Sequence, residues 1–297
     1  MNIFLTSAAG YIGAAVADQL LAAGHRLTGL ARSTTRADEL RARGITPLEG
    51  TLDDATLLAQ AASAADAVIH TAAADHRAST EALLAALSGT TKTYLHLSGA
   101  GVVADMAGGE LREPVYDEST PVHPLPARVP RVALNNDILA AARDGLRTVV
   151  IAPPMVYGHG GSLQIPKMIA VASESGSVKY VGAGTNTWSC VHVDDLARLF
   201  VLALEKAPAG GTLYYADNGT ENQFKDIAEA IGRLMTLPAQ SLTVPEAYAV
   251  YGQGMVDLSF GANCRVRGVH ARRDLGWEPT GPLLLDDIQQ GSYAQAA

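Results

Sequence analysis

The sequence predicts an α/β chain built on a doubly wound parallel sheet, with a smaller lobe toward the C-terminus. Short apolar runs bounded by turn residues alternate with helix-period segments through the first half. That rhythm breaks at Pro153-Pro154, where glycines and longer connections take over. At the N-terminus, "TSAAGYIG" (6–13) places a tight small-residue turn between a first strand and a first helix.

The apolar run Ile3-Phe4-Leu5 predicts a strand over 2–5, and the segment from Tyr11 opens a helix near 11–22 that Gly24 ends with a left-handed residue. Strands follow at 26–31, 46–49, 67–70, 94–98 and 148–152, separated by helices near 36–43, 54–62, 77–87 and 131–143, with Gly145 after the last helix. Near-continuous apolar strands between helices are buried on both faces, which is the parallel arrangement. Beyond Pro154, the segment 190–206 reads as a helix with Val193, Leu196, Ala197, Phe200, Val201 and Leu204 on one face, and 212–216 reads as one more sheet strand. The predicted division is a dinucleotide-binding lobe over 1–155, to which 190–217 returns, and a substrate lobe over 156–189 and 218–297.

Composition narrows the function. Apolar residues at 48% and charged residues at 18% are ordinary for a globular enzyme, and a net charge of -8 without any basic stripe argues against nucleic acid. Arg265, Arg267, Arg272 and Arg273 form the nearest approach to a basic cluster. Cys190 and Cys264 are too few and too far apart for a disulfide framework, and no Cys/His group has zinc spacing, so reduced thiols and no metal are expected. The N-terminus lacks a basic leader and its apolar run stops at Thr6-Ser7, so a cytoplasmic chain without signal peptide or membrane span is expected. A small-molecule partner and a monomer or homodimer are expected.

A strand, a tight turn and a helix start present free N–H groups to an anion, which is the usual cradle for a pyrophosphate. Gly10 and Gly13 leave room for it, while Ser7 stands where a third glycine suits the turn, so serine either bears strain there or shifts the turn. At the end of the second strand the sequence reads Leu30-Ala31-Arg32-Ser33, with Arg36 one turn on. An acid there would bind ribose hydroxyls, whereas arginine accommodates a 2′-phosphate. NADP is therefore favoured, with NAD possible.

"TSAAGYIG", "VIHTAA" (68–73), "LHLSGAGVV" (95–103), "VYDESTP" (115–121), "PPMVYGHGG" (153–161), "CVHVDDLARL" (190–199) and "DLGWEP" (274–279) occur in an order that resembles the extended short-chain dehydrogenase/reductases, the NAD-dependent epimerase/dehydratase family. The resemblance covers essentially the whole chain and implies a Rossmann-type fold. It places Ser7, Gly10, Tyr11, Ile12 and Gly13 at the pyrophosphate, Thr71, Ala72 and Ala73 against the cofactor, and Leu52 beside the adenine. Pro153, Met155 and Val156 would border the nicotinamide. Thr51 stands where relatives carry an aspartate.

Departures fall at the catalytic positions. Family members place an acting hydroxyl after the fifth strand, and a tyrosine four residues before a lysine, whose ammonium lowers the phenol's pKa. Here the post-strand pair is Ser98-Gly99, and the segment 128–136, "RVPRVALNN", holds neither tyrosine nor lysine. Ser98 and Tyr116 are the candidates for proton delivery, with Tyr157 behind them. The resemblance makes His192 a strand-end residue and Asp194 a helix N-cap. His70 reads as a satisfied sheet-end histidine and His159 as a freer group. Asp75-His76 either orients an imidazole or caps the next helix, and Arg265 and Arg267 are candidates to clamp a polar substrate group. The expected activity is NAD(P)-dependent oxidoreduction, an NADPH-dependent reductase of a small or medium carbonyl compound. The alternatives are a non-catalytic NADP-sensing protein and a nucleotide-sugar epimerase or dehydratase.

Overall fold

Each short apolar run of the first half forms a strand and each helix-period segment a helix: β1 (Asn2–Leu5), α1 (Tyr11–Ala22), β2 (Arg26–Ala31), α2 (Thr34–Ala42), β3 (Thr46–Glu49), α3 (Ala55–Ala64), β4 (Ala67–His70), α4 (Arg77–Leu87), β5 (Thr93–Leu97), α5 (Val129–Ala140) and β6 (Arg147–Ala152). The structure is a computed structural model that describes residues 1–143 and 145–294; positions 144 and 295–297, inside the predicted lobes, lie outside the described residues. The chain continues through β7 (Met155–Tyr157), α6 (Ile165–Ser175), β8 (Val178–Val181), β9 (Thr187–His192), α7 (Val193–Lys206), β10 (Gly211–Tyr215), β11 (Glu221–Gln223), α8 (Phe224–Met235), β12 (Ala239–Leu242) and α9 (Val244–Tyr251).

Seven strands form one parallel sheet in the order β10-β6-β5-β4-β1-β2-β3. Ile3 lies in register with Leu27 on one side and Ala67 on the other, so β1 is the point where the winding reverses. Helices cover both faces and bury separate apolar clusters, one holding Leu5, Val16, Leu20 and Phe200, the other Phe4, Leu58, Leu83 and Ile138. Fully burying side chains of this size contributes about 1.5–3 kcal/mol each.

Two predicted boundaries move for identifiable reasons. Helix α2 starts at Thr34 rather than 36, because the Ser33 hydroxyl caps it by accepting from the Arg36 N–H. The segment 190–206 is not helical throughout: Cys190 and Val191 belong to β9, which pairs with β7 and β11 in a three-stranded sheet. The α7 turn starts at Val193 because the His192 side chain, not Asp194, caps it. A third cluster, including Trp188, Phe224, Tyr251 and Phe260, supports the parts that follow β6. Both cysteines are free and buried, and burial pushes the Cys190 thiol up to about 11. Among the described residues no helix is long and apolar enough to cross a membrane.

Candidate functional site

Because every strand of the large sheet runs the same way, the loops that leave β1, β2, β4, β5 and β6 all open on one edge, and ligands of such sheets bind there. The loop after β1 turns on a contact that tolerates no side chain. A Cβ on Gly13 would stand 1.8 Å from the Ser7 carbonyl oxygen, so helix and loop touch backbone to backbone. The turn closes through Gly10 N–H donating to the Ser7 carbonyl at 3.0 Å. Ser7 is not among the described non-glycine residues with positive φ, which are Ala73, His159 and Thr236, so of the two expected outcomes, strain at Ser7 or a shifted turn, strain is absent. The left-handed residue of this edge is instead Ala73, at φ 31°. Helix α1 has Gly10 as N-cap, with no side-chain cap and no acid in its first turn, which leaves its first N–H groups to an anion.

Beneath the loop lies a chain of hydrogen bonds that sequence reasoning missed. The Thr6 hydroxyl accepts from the N–H groups of Thr71 and Ala72, at 3.1 and 3.2 Å, which leaves its own proton for His70 Nδ1 at 2.8 Å. His70 Nε2 then donates to Ser79 Oγ, which donates to the His76 carbonyl. One threonine thus ties the loops after β1 and β4 together, and the proton directions fix the tautomer of His70. Burial, with smaller contributions from His96 and His76, lowers His70 to about 3, and burial lowers His96 to about 4. The signal available in the sequence was a threonine just after β1 and a histidine ending β4, which only the strand order makes neighbours.

Two clefts occupy this edge. The smaller, of about 290 Å³, is lined by Thr6, Ser7, Gly10, Leu30, Arg32, Arg36, Leu52, Thr71, Ala72 and Ala73. The larger, of about 600 Å³, is lined on one side by Tyr11, Ile12, Ser98, Gly99, Pro153 and Val156, and on the other by Leu163, Trp188, Met255 and Leu258. Arg128 and Arg131, at the start of α5, also face it. The α1 terminus joins the two: Gly10 lines one cleft, while Tyr11 and Ile12 line the other. Tyr11 further donates its hydroxyl to the Gly158 carbonyl at 2.9 Å and lays its ring over Gly161.

Most of the predicted site residues therefore meet on one edge, and several do not. Met155 is buried in the core, since β7 alternates and turns Val156 to the cleft. Tyr116 is held in a parallel bridge, its N–H donating to the Arg265 carbonyl and its carbonyl accepting from Arg267 N–H, and it lines neither cleft. The predicted substrate clamp fails for Arg265, whose guanidinium is spent on Glu221 and the carbonyls of Arg112 and Glu113. Arg267 is exposed and lines neither cleft. Asp75 and His76 do not form a dyad: Asp75 receives two hydrogen bonds from Arg131, which hold its carboxyl below the usual range, while His76 caps α4. His159, His192 and Asp194 bring their ligand atoms within 4.8 Å of one another, yet His192 Nδ1 already accepts from Asp194 N–H and His159 Nε2 lies 2.9 Å from the Asp194 carboxylate. Ser98 does face the larger cleft, and its hydroxyl is buried without a partner.

The family model for the NAD dependent epimerase/dehydratase family matches residues 3–214, the span from the first strand through β10. The chain belongs to that family. An uncharacterised protein of Schizosaccharomyces pombe is 34% identical over 306 residues, covering 99% of this chain and all of that one. A 4-hydroxy-2-methyl-3-oxo-4-farnesyl-3,4-dihydroquinoline-1-oxide ketoreductase of Stigmatella aurantiaca is 28% identical, covering 82% of this chain and 76% of its own. Among solved structures, the UDP-glucose 4-epimerase of Thermotoga maritima superposes with a TM-score of 0.78 at 20% identity, covering 100% of this chain and 99% of that one, which is a likeness of fold.

Proposed function

We propose that this member of the family is an NADPH-dependent reductase of a small or medium carbonyl compound. The observation that carries the reading is the pair of clefts joined at the α1 terminus, one ending on Arg32 and Arg36 and the other lined by Ser98, whose buried hydroxyl has no partner. The residues fit a dinucleotide: Gly13 leaves no room for a side chain between loop and helix, the α1 N–H groups are free for a pyrophosphate, and the buried Thr71 hydroxyl also lacks a partner. Arg32 and Arg36 would hold a 2′-phosphate, Leu52 would flank the adenine, and Ala72, Ala73, Pro153 and Val156 would border the rest of the cofactor. The relationship to a ketoreductase supports reduction over epimerisation.

When bound, reduced nicotinamide supplies a hydride, and the protein's task is to place and polarise the acceptor. The Ser98 hydroxyl is buried and has no acceptor of its own; turned toward the cleft, it would hydrogen-bond a substrate carbonyl and hand over its proton as charge develops on that oxygen, with solvent returning the proton to the serine. Ile12, Val156, Leu163, Trp188, Met255 and Leu258 keep that hydrogen bond in apolar surroundings, where it is stronger than in water. Incubation with NADPH and a panel of ketones, aldehydes, imines and quinones tests the reading through loss of reduced-nicotinamide absorbance. Turnover of a panel member supports it; tight NADPH binding with no turnover favours a sensor.

A further inference from the structure

We propose that Arg128 is the anion-binding residue of the larger cleft, and that the substrate joins an apolar body to a carboxylate held by this guanidinium. The proposal deepens the reading of this cleft as the substrate site and rests on it. Arg128 is half-buried and faces the cleft, yet no carboxylate among the described residues lies within ion-pair distance of it. Its Nε is fully buried and has no acceptor. Burying a cation without a partner is costly, and interiors otherwise pair such groups. Burial, and then the neighbouring Arg131, holds the Arg128 pKa below its ordinary value, a penalty that an anion beside it would relieve.

The neighbouring residues say which anion. Arg131 is engaged by Asp75, so these three side chains leave one positive charge, which suits a monoanion better than a phosphate. Gly101 approaches without a side chain: a Cβ there would lie 3.8 Å from Arg128 Nη2. Ser98 lines the same cleft, and its buried, unpartnered hydroxyl would serve a carbonyl on the same ligand on turning toward it. The facing wall of Trp188, Met255 and Leu258 asks for an apolar body. A planar guanidinium with unspent donors matches a carboxylate in two parallel hydrogen bonds.

The test is a titration of the full-length protein, with and without NADP, followed through the fluorescence of Trp188 in the cleft wall. The probes are acetoacetate, benzoate and phenylacetate, each against its neutral amide. The carboxylates should bind at least about tenfold tighter than their amides, Arg128→Gln should erase that preference, and Arg128→Lys should keep part of it. NADPH affinity of both variants should stay within about threefold, which also shows that they are folded. No carboxylate preference across the panel, or a preference that survives Arg128→Gln, overturns the proposal. So does loss of NADPH binding in Arg128→Gln with the wild-type melting temperature retained, which would assign the guanidinium to the cofactor. A carboxylate preference in a protein that never consumes NADPH leaves the anion site standing and sinks only the reductase reading.

Discussion

Gly13→Ala should cost the protein its dinucleotide while leaving it folded. The added methyl would sit 1.8 Å from the Ser7 carbonyl oxygen and 2.7 Å from its carbon, about half of an ordinary 3.4 Å contact in the first case. Both clashing atoms are backbone, so no rotamer change relieves them and the loop must move off the helix. Overpacking of this kind costs about 1–3 kcal/mol. At roughly 2–4 °C per kcal/mol this lowers Tm by several degrees, short of unfolding. The same shift carries the α1 N–H groups out of line with the pyrophosphate. Losing two such charge-assisted bonds weakens binding at least about a hundredfold, or 2.8 kcal/mol. Thermal unfolding with and without NADPH reads both effects. Wild type at about 100 times Kd gains about 2.7 kcal/mol from the ligand, and the variant gains almost nothing. Gly10→Ala is the control, because its Cβ would meet the Ser7 hydroxyl at 2.6 Å, and removing that hydroxyl in Ser7→Ala should restore binding to the double variant. If Gly13→Ala binds NADPH within threefold of wild type, the loop does not hold the pyrophosphate.

Arg32→Ala should weaken NADPH by at least about tenfold and leave NADH nearly unchanged; equal losses in a paired titration would mark Arg32 as structural. Thr6→Val removes an acceptor for two N–H groups and a donor to His70, and should cost about 2–4 kcal/mol in urea unfolding; a loss under 1 kcal/mol would mean that water replaces the hydroxyl. His70 and His96 have folded-state pKa values lowered to about 3 and about 4, so the unfolded chain takes up protons first and stability falls as pH drops below the unfolded value near 6.5. Each ring contributes about 1.4 kcal/mol per pH unit down to its folded pKa, so His96→Gln should make the loss between pH 6 and pH 5 shallower by about that amount, and an unchanged slope would contradict its buried, neutral state. Ser98→Ala should cut turnover by roughly a hundredfold with NADPH affinity unchanged, and full activity would move proton delivery to solvent.

The sheet was legible in the sequence because its strands are apolar runs flanked by turn residues. β1 to β4 fall on their predicted bounds, β5 and β10 shift by one residue, and β6 starts one residue earlier. The β9–α7 boundary was not legible, since Cys190 and Val191 continue an apolar pattern into the helix and only the capping by His192 breaks it. The predicted residues that line the smaller cleft were readable as neighbours because they lie in short segments next to strands, where sequence distance predicts proximity. Arg128 and Thr6 were not, because their meaning comes from neighbours far away in the chain: Ser98 and Trp188 for one, His70 for the other. Tyr116 misled because a loop tyrosine near β5 looks mobile, whereas its backbone is pinned on both sides by Arg265 and Arg267.

The proposed reductase transfers hydride from NADPH to a bound carbonyl and releases the product. NADPH deuterated at the transferable position, incubated with the protein and the carbonyl panel, tests it in one measurement by mass spectrometry. Hydride transfer gives stoichiometric NADP and one deuterium on the former carbonyl carbon of an alcohol product. Bound NADPH that stays reduced while every panel member is recovered without deuterium would contradict it.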